Sequence, residues 1–463
     1  MTLAPAMLTR LLMGTVLASL WSVNVCSSQG RDTLRLTLAE AERRALQHNP
    51  RLAEPQASLE FARAKRTAAS HARFLPTFTL RNVWGTIPRA RGVFTPTGVL
   101  TSPDTMTGLS DLGVFTQVDV DILQPLLTFG KLSNLTAAAD FGVEAGEAGV
   151  AATEAEVLLQ VRNLYWGLLL GYDLQEVTED ALGEIAKAQD RLQTKLDEGS
   201  DEVSQNDLFK LQIFRYEVDK RHRDVLDRIE SAKHALRAAT GIDQAVPFDL
   251  AAHSLTPLEL TLDSLPEYLE MALQSRPDLA QLAAGVHARS SLASAAASDF
   301  WPQLFLGAQI KYNWAPNRFD PSNPFANNPT NFFRPGVVLG LNWNLNFFQT
   351  RDRVRTARFE ESVLAARAPL VEHGIRLEVE KAYLAVKHAD QDIRESLKAL
   401  QASDNWLRSE AQTFDLGISD VKDFIDAFRA NGTMRAEHAE SILSFNTSLA
   451  ALSKAVGRDL YPH

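Results

Sequence analysis

The chain has 463 residues, 45% hydrophobic, 22% charged and 8% aromatic, with a formal net charge of -10. This length holds two or three ordinary domains, and the composition is that of a structured chain. The acidic balance and the lack of any basic run argue against a nucleic-acid partner, whose affinity rests mostly on Lys and Arg against phosphates. A single cysteine, Cys26, leaves no disulfide to form.

Residues 1–28 read as a signal peptide. Arg10 gives the positive start, Leu11 to Trp21 the short apolar core, and Cys26, Ser27 and Ser28 the small residues near a cleavage site. The alternative is Cys26 as a lipidated first residue of the mature chain, for which Val23-Asn24-Val25 is a poor lead-in. No later run reaches the roughly 18 apolar residues of a membrane helix. An exported chain of this kind is either periplasmic or a membrane β-barrel.

The rest of the chain reads as one structural half written twice. The first repeat, 36–241, has a helix at about 38–70, alternating segments at about 77–93 and 114–124, a helix at 131–198, Gly199, and a helix at 203–240 stopped by Gly241. A linker, 242–262, leads to the second repeat, 263–457. There the helices fall at about 265–298, 352–416 and 421–456, and the strands at about 303–315 and 336–347. Gly417 and Gly457 stand where Gly199 and Gly241 stood, and 458–463 is a tail. Asn49-Pro50-Arg51-Leu52 returns as Arg276-Pro277-Asp278-Leu279, Leu75-Pro76 as Trp301-Pro302, and Val161 and Tyr165 as Val379 and Tyr383. A helix over 131–198 would be about 100 Å long at about 1.5 Å per residue. Pro369 should bend its counterpart.

The strand segments alternate with period two. Val114, Thr116, Val118, Val120 and Ile122 share one face, and Gln117, Asp119 and Asp121 the other. Val337, Leu339 and Leu341 likewise alternate with Gly340, Asn342 and Asn344. A half-buried soluble sheet alternates in the same way. The polar residues Asp119, Asp121, Asn342 and Asn344 suit a water-filled lumen, and Trp84, Tyr312, Trp314 and Trp343 suit an interfacial girdle. Four strands cannot close a barrel, and an open edge in lipid strands backbone groups at several kcal/mol each. Two copies would give 8 strands, a barrel filled by its own side chains, and three copies 12, a conduit.

These features together resemble the TolC-like outer-membrane efflux family over residues 36–460. The shared motifs are Leu-Thr-Leu-Ala-Glu-Ala at 36–41, Asn49-Pro50, Gln124-Pro125-Leu126, Phe129-Gly130-Lys131, and the turns at Gly199 and Gly417. The resemblance implies a mainly α fold with a membrane β-barrel portion. It implies a homotrimer whose 12-stranded barrel in outer-membrane lipid continues as a periplasmic α-helical barrel. It also implies an exit duct for an inner-membrane pump, docked through a periplasmic adaptor, with no catalytic site and no cofactor.

The same resemblance assigns Asp423 and Asp426 to a constricting ring at the periplasmic tips. Spacing alone equally fits a solvated helix start, where Asp is favoured by the macrodipole. Gly199, Ser200, Gly417, Ile418 and Ser419 are assigned to the adaptor contact. Ser419 stands where some relatives carry a latching arginine, and Ser204 and Gln205 where they carry Thr and Asp. The expectation is therefore a hydrogen-bonded latch, or the ring alone, in place of a charged one. The histidines show no metal-ligand spacing, and no phosphate loop or nucleophile elbow appears. The competing function is a periplasmic coiled-coil scaffold without transport.

Overall fold

The computed structural model describes residues 33–89, 93–94, 100–101, 109–198, 204–318, 325, 328–415 and 419–460. Cys26 and the whole expected signal segment, Gly199, Ser200, Gly417 and Ile418 lie outside them.

The first half runs β1 (Leu34–Leu36), α1 (Leu38–His48), α2 (Ala53–Phe74), β2 (Thr77–Pro88), β3 (Val93–Phe94), β4 (Leu100–Thr101), β5 (Leu112–Leu127), α3 (Lys131–Asp197) and α4 (Gln205–Thr240). After β6 (Phe248–Leu250), the second half runs α5 (Leu265–Ser275), α6 (Pro277–Ala297), β7 (Gln303–Trp314), β8 (Phe332–Asn342), α7 (Phe347–Ala365), α8 (Ala368–Asp415) and α9 (Val421–Val456). The expected helices over 38–70 and 265–298 are each split. Asn49 and Arg276 leave helical geometry just before Pro50 and Pro277, because the proline ring disfavours that geometry in the residue before it. Pro369 does more than bend its helix. It sits at the start of α8, and the helix is interrupted between Ala365 and Ala368.

One antiparallel sheet, in the order β2-β5-β7-β8, holds the four expected strands. The last strand ends at Asn342, five residues before its expected end. Asn344 is therefore not a strand residue. Its Oδ1 accepts the Asn346 backbone N–H at 3.1 Å, a local turn that competes with the ladder. At the strand–helix junctions, Asp299 accepts from Lys131 at 2.8 Å and from Arg353 at 3.3 Å, and Phe129 stacks on Trp301 at 5.6 Å. These contacts couple the direction of the strands to that of the long helices.

Two apolar clusters hold the helices. The larger packs α1 and the small parallel pair β1–β6 against the middle of α3, the end of α4, α5, the upper part of α8 and the end of α9. Within it, buried Arg162 donates to Glu42 at 2.5 Å and to Asp459 at 2.7 Å, so the expected tail is tied into the core. The smaller cluster lies at the far ends of α3, α4, α8 and α9. Between the two, polar side chains bridge the helices: Thr178 meets His222 at 2.9 Å, Ser396 meets His438 at 3.0 Å, and Asn431 donates to Asp404 at 2.5 Å.

The duplication is visible in the packing. Asn49 donates to the Ala239 carbonyl at 3.0 Å, and Arg276 to the Ala455 carbonyl at 3.1 Å, each binding the start of its repeat to the end of its second long helix. Gly241 and Gly457 end those helices with φ of 66° and 76°. A Cβ on Gly457 would lie 2.9 Å from the Ser275 carbonyl oxygen, with further backbone atoms at 3.0 and 3.2 Å. A Cβ on Gly241 would lie 2.5 Å from the His48 Cβ, an atom fixed to its own backbone. With positive φ at both positions, Gly241→Ala and Gly457→Ala should each cost at least about 1 kcal/mol of stability. Denaturant melts of the two variants in detergent test this, and a wild-type midpoint in either would refute it.

Candidate functional site

The sheet has two chemically distinct faces. Directly paired residues in an antiparallel sheet point to the same side, and the register places Arg81, Asp119, Lys311 and Arg334 in one unbroken row across all four strands. Beside that row lie Thr79, Asp121, Gln309 and Gly336, and on its other side Val83, Gln117, Asn313 and Phe332. Gln117 donates to Asp119 at 2.8 Å, and Gln309 to Asp121 at 2.6 Å. Of the four lumen residues expected from sequence, Asp119, Asp121 and Asn342 share this polar face, and Asn344 does not belong to it.

The opposite face carries Phe78, Leu80, Val120, Ile310, Val337 and Leu339. It is left bare: Leu80 is 70% exposed and Val337 74%. Trp84 and Trp314 border it at one end, and Trp301 and Trp343 at the other. From Trp301 to Trp314 is about 43 Å along the strand, or about 30 Å along a membrane normal at about 45° tilt. That brackets the apolar band of about 25 Å typical of outer-membrane barrels. Among the described residues no helix is long and apolar enough to cross a membrane.

At the far end, α3 with α4 and α8 with α9 form two hairpins. Asp420 caps α9, accepting the Lys422 backbone N–H at 3.1 Å. Asp423 and Asp426 follow on one flank of the helix, one turn apart. Asp423 is exposed, whereas Asp426 lies 3.5 Å from Arg429. Of the residues expected to latch the tips, Ser204 and Ser419 bond within their own hairpins. Ser204 forms a capping box with Asp207, Gln205 opens α4 with an exposed side chain, and Ser419 bonds Glu410 at 2.6 Å. Partial burial pushes the Asp207 carboxyl up, but hydrogen bonds from Lys210 and Ser204 outweigh it and hold the group below the usual carboxylate range.

The hairpins are instead joined by groups the sequence reading did not single out. Arg429 reaches Glu217 at 3.1 Å, Arg435 reaches Asp180 at 3.0 Å, and Lys210 lies 3.8 Å from Asp420. These charged pairs lie within one chain and involve other residues than Ser204, Gln205 and Ser419. Nothing in sequence spacing marks these pairs, since each partner sits on a different helix. Exposed pairs of this kind contribute about 0–1 kcal/mol each. Fully burying a Leu, Ile or Phe is worth about 1.5–3 kcal/mol, and Leu211, Phe214, Phe424 and Ile425 are all buried here. Phe428 stands edge-on to Phe214 at 6.1 Å across the hairpins, and Phe424 stacks on Phe414 at 5.0 Å. The two hairpins of one chain are therefore held together mainly by apolar contacts. Phe424→Ala should raise hydrogen exchange in the tip ends of α3, α4 and α9 while the larger cluster stays protected. A uniform rise, or none, would contradict the division into two clusters.

Two helical surfaces also lack a partner. Val363, Leu370, Leu377 and Leu384 recur every seven residues along α7 and α8, and Leu370 is 75% exposed. Phe209, Ile213 and Tyr216 form an exposed stripe on α4.

The sequence matches the family model described as outer membrane efflux protein over residues 42–241 and 268–458, one segment for each repeat. Among solved structures, the outer-membrane channel CusC shares 16% identity with a TM-score of 0.72, over 94% of this chain and 96% of its own. The open-state MtrE outer membrane channel of Neisseria gonorrhoeae shares 16% with a TM-score of 0.72, over 92% and 89%. The CmeC outer membrane channel of Campylobacter jejuni shares 15% with a TM-score of 0.69, over 92% and 86%. No curated protein sequence matches the chain. The two-repeat fold, its bare apolar strand face and the family match converge, and the chain belongs to the outer membrane efflux protein family.

Proposed function

We propose that three copies of this chain form the exit duct of a tripartite efflux or type I secretion system. The observation that carries this reading is the four-stranded sheet with an apolar outer face and two unpartnered edges, β2 and β8. In lipid each unpaired backbone group on those edges would cost several kcal/mol. Pairing β2 of one copy with β8 of the next removes every edge and gives 12 strands. The heptad stripe on α7 and α8 and the stripe on α4 become contacts between neighbours in a helical barrel below. The polar strand face then lines the lumen, and the helical part lies in the periplasm. A periplasmic scaffold would have no use for the bare apolar strand face.

The tips serve as the gate. Three copies of Asp423 and Asp426 place six carboxylates around one axis, a ring that favours cations and retains them. Because Asp426 is close to Arg429, Asp423 carries more of the field. The turns at Gly199, Ser200, Gly417, Ile418 and Ser419 face a periplasmic adaptor, which joins the duct to an inner-membrane pump. Cargo passes through without chemistry, so no cofactor is required.

Two measurements test this. Detergent-extracted protein should have the mass of a trimer and conduct ions in planar bilayers, whereas a water-soluble monomer without conductance would refute the duct. Asp423→Ala should raise single-channel conductance and weaken block by polyvalent cations more than Asp426→Ala does. Arg429→Gln, which frees Asp426 and removes the Glu217 pair, should strengthen cation block while easing opening. Unchanged conductance in Asp423→Ala with Asp426→Ala would remove the ring from the gate.

A further inference from the structure

The row across the polar strand face is cationic where it meets solvent. Arg81 and Arg334 are exposed and Lys311 is half-buried, whereas Asp119 is 9% exposed and lies beneath them with one oxygen held by Gln117. Among the described residues neither Arg81 nor Lys311 belongs to an ion pair or hydrogen bond, although both are in register with Asp119. The Arg334 guanidinium carbon lies 4.2 Å from the centre of the Phe332 ring, and Arg334 makes a further contact besides. Asp121, an exposed carboxylate on the same face, accepts from Gln309 and keeps its negative charge, which opposes the three cations.

We propose that Arg81, Lys311 and Arg334 form an anion-attracting stripe that makes the barrel selective for multiply charged organic anions. This rests on the reading of the sheet as one third of a closed barrel. Hydrogen-bonded rows run across the strands, so in a tilted barrel each row climbs the wall and three copies give three oblique basic stripes. Twelve strands spaced about 4.8 Å apart and tilted about 40° enclose about 24 Å between opposite backbones. Side chains from both walls leave a passage of roughly 12 Å, so a solute on the axis is about 6 Å from a charge. That is within the Debye length of about 8 Å at physiological ionic strength. The field therefore reaches everything that passes.

The aspartates at the tips have the opposite sign, so a whole-channel selectivity ratio would mix the two ends. The test acts from the barrel side alone. In a planar bilayer the helical body stays on the side of addition, since none of its described helices can cross the membrane. Citrate added to the opposite side should block the wild-type current, and spermine added there should not. The Arg81→Gln, Lys311→Gln, Arg334→Gln triple variant should raise the half-blocking citrate concentration about ten-fold. Asp121→Asn should lower it, and decides the matter alone if the triple variant does not assemble. Citrate block that is unchanged in these variants, or equalled by spermine, would overturn the stripe. Absence of any conductance in the wild type would overturn the duct itself.

Discussion

The rest of the structure depends on an open edge. β2 and β8 border the sheet, and every second backbone group along each of them points away from it. Water could satisfy those groups, but the adjoining face presents Phe78, Leu80, Val337 and Leu339 outward and calls for lipid. The two demands conflict for a single chain, and the self-association proposed above would resolve both. The helices would inherit the geometry. Asp299, held by Lys131 and Arg353, and the Phe129–Trp301 stack tie strand direction to helix direction, so a ring of strands would impose a ring of helices.

The helical part is divided into two apolar clusters, which under the proposed gating would separate holding from opening. The larger cluster draws on both ends of the described chain, from Leu36 to Val456, and contains the Arg162 network with Glu42 and Asp459. Breaking a buried pair of that kind costs about 3–5 kcal/mol. The tip cluster is smaller and is trimmed by exposed ion pairs of low individual worth. Between the clusters the helices meet through hydroxyl–imidazole pairs and Asn431, and burial holds the His438 imidazole below its usual range. A polar layer contributes less cohesion than an apolar one, so under the proposed gating the tips would part without loosening the region above.

Much of this was legible in the sequence. Period-two alternation found all four strands, and Gly241 and Gly457 marked helix ends where the backbone adopts positive φ. The helix expected over 421–456 is α9 as observed. What escaped had local or distributed causes. β1 and β6 are three residues each, too short for a period to show. Arg334 precedes the expected start of its strand by two residues and looked like part of the loop. Asn344 continued an alternating pattern that its own side chain interrupts. The pairs Arg429–Glu217 and Arg435–Asp180 join helices more than 200 residues apart in sequence, and only the packing brings them together.

The duplication explains both the regularity and its exceptions. Asn49 and Arg276 bind the ends of α4 and α9 through an amide in one repeat and a guanidinium in the other. What recurs is therefore the junction and not the residue, as expected where a helix end needs its carbonyls satisfied and several donors can do it. Each repeat contributes two strands and one hairpin, so three chains amount to six quasi-equivalent units around one axis. Departures from equivalence then mark what one hairpin does and the other does not. The positions matching Asp423 and Asp426 in the first repeat are Gln205 and Leu208, and Leu208 is buried in the tip cluster. α3 is continuous, whereas its counterpart is broken before Pro369. The acidic flank and the interrupted helix fall in the same repeat. On the proposed reading the second hairpin would combine the charges lining the axis with an interrupted longitudinal connection, and the first, with its continuous α3, would be the more rigid partner.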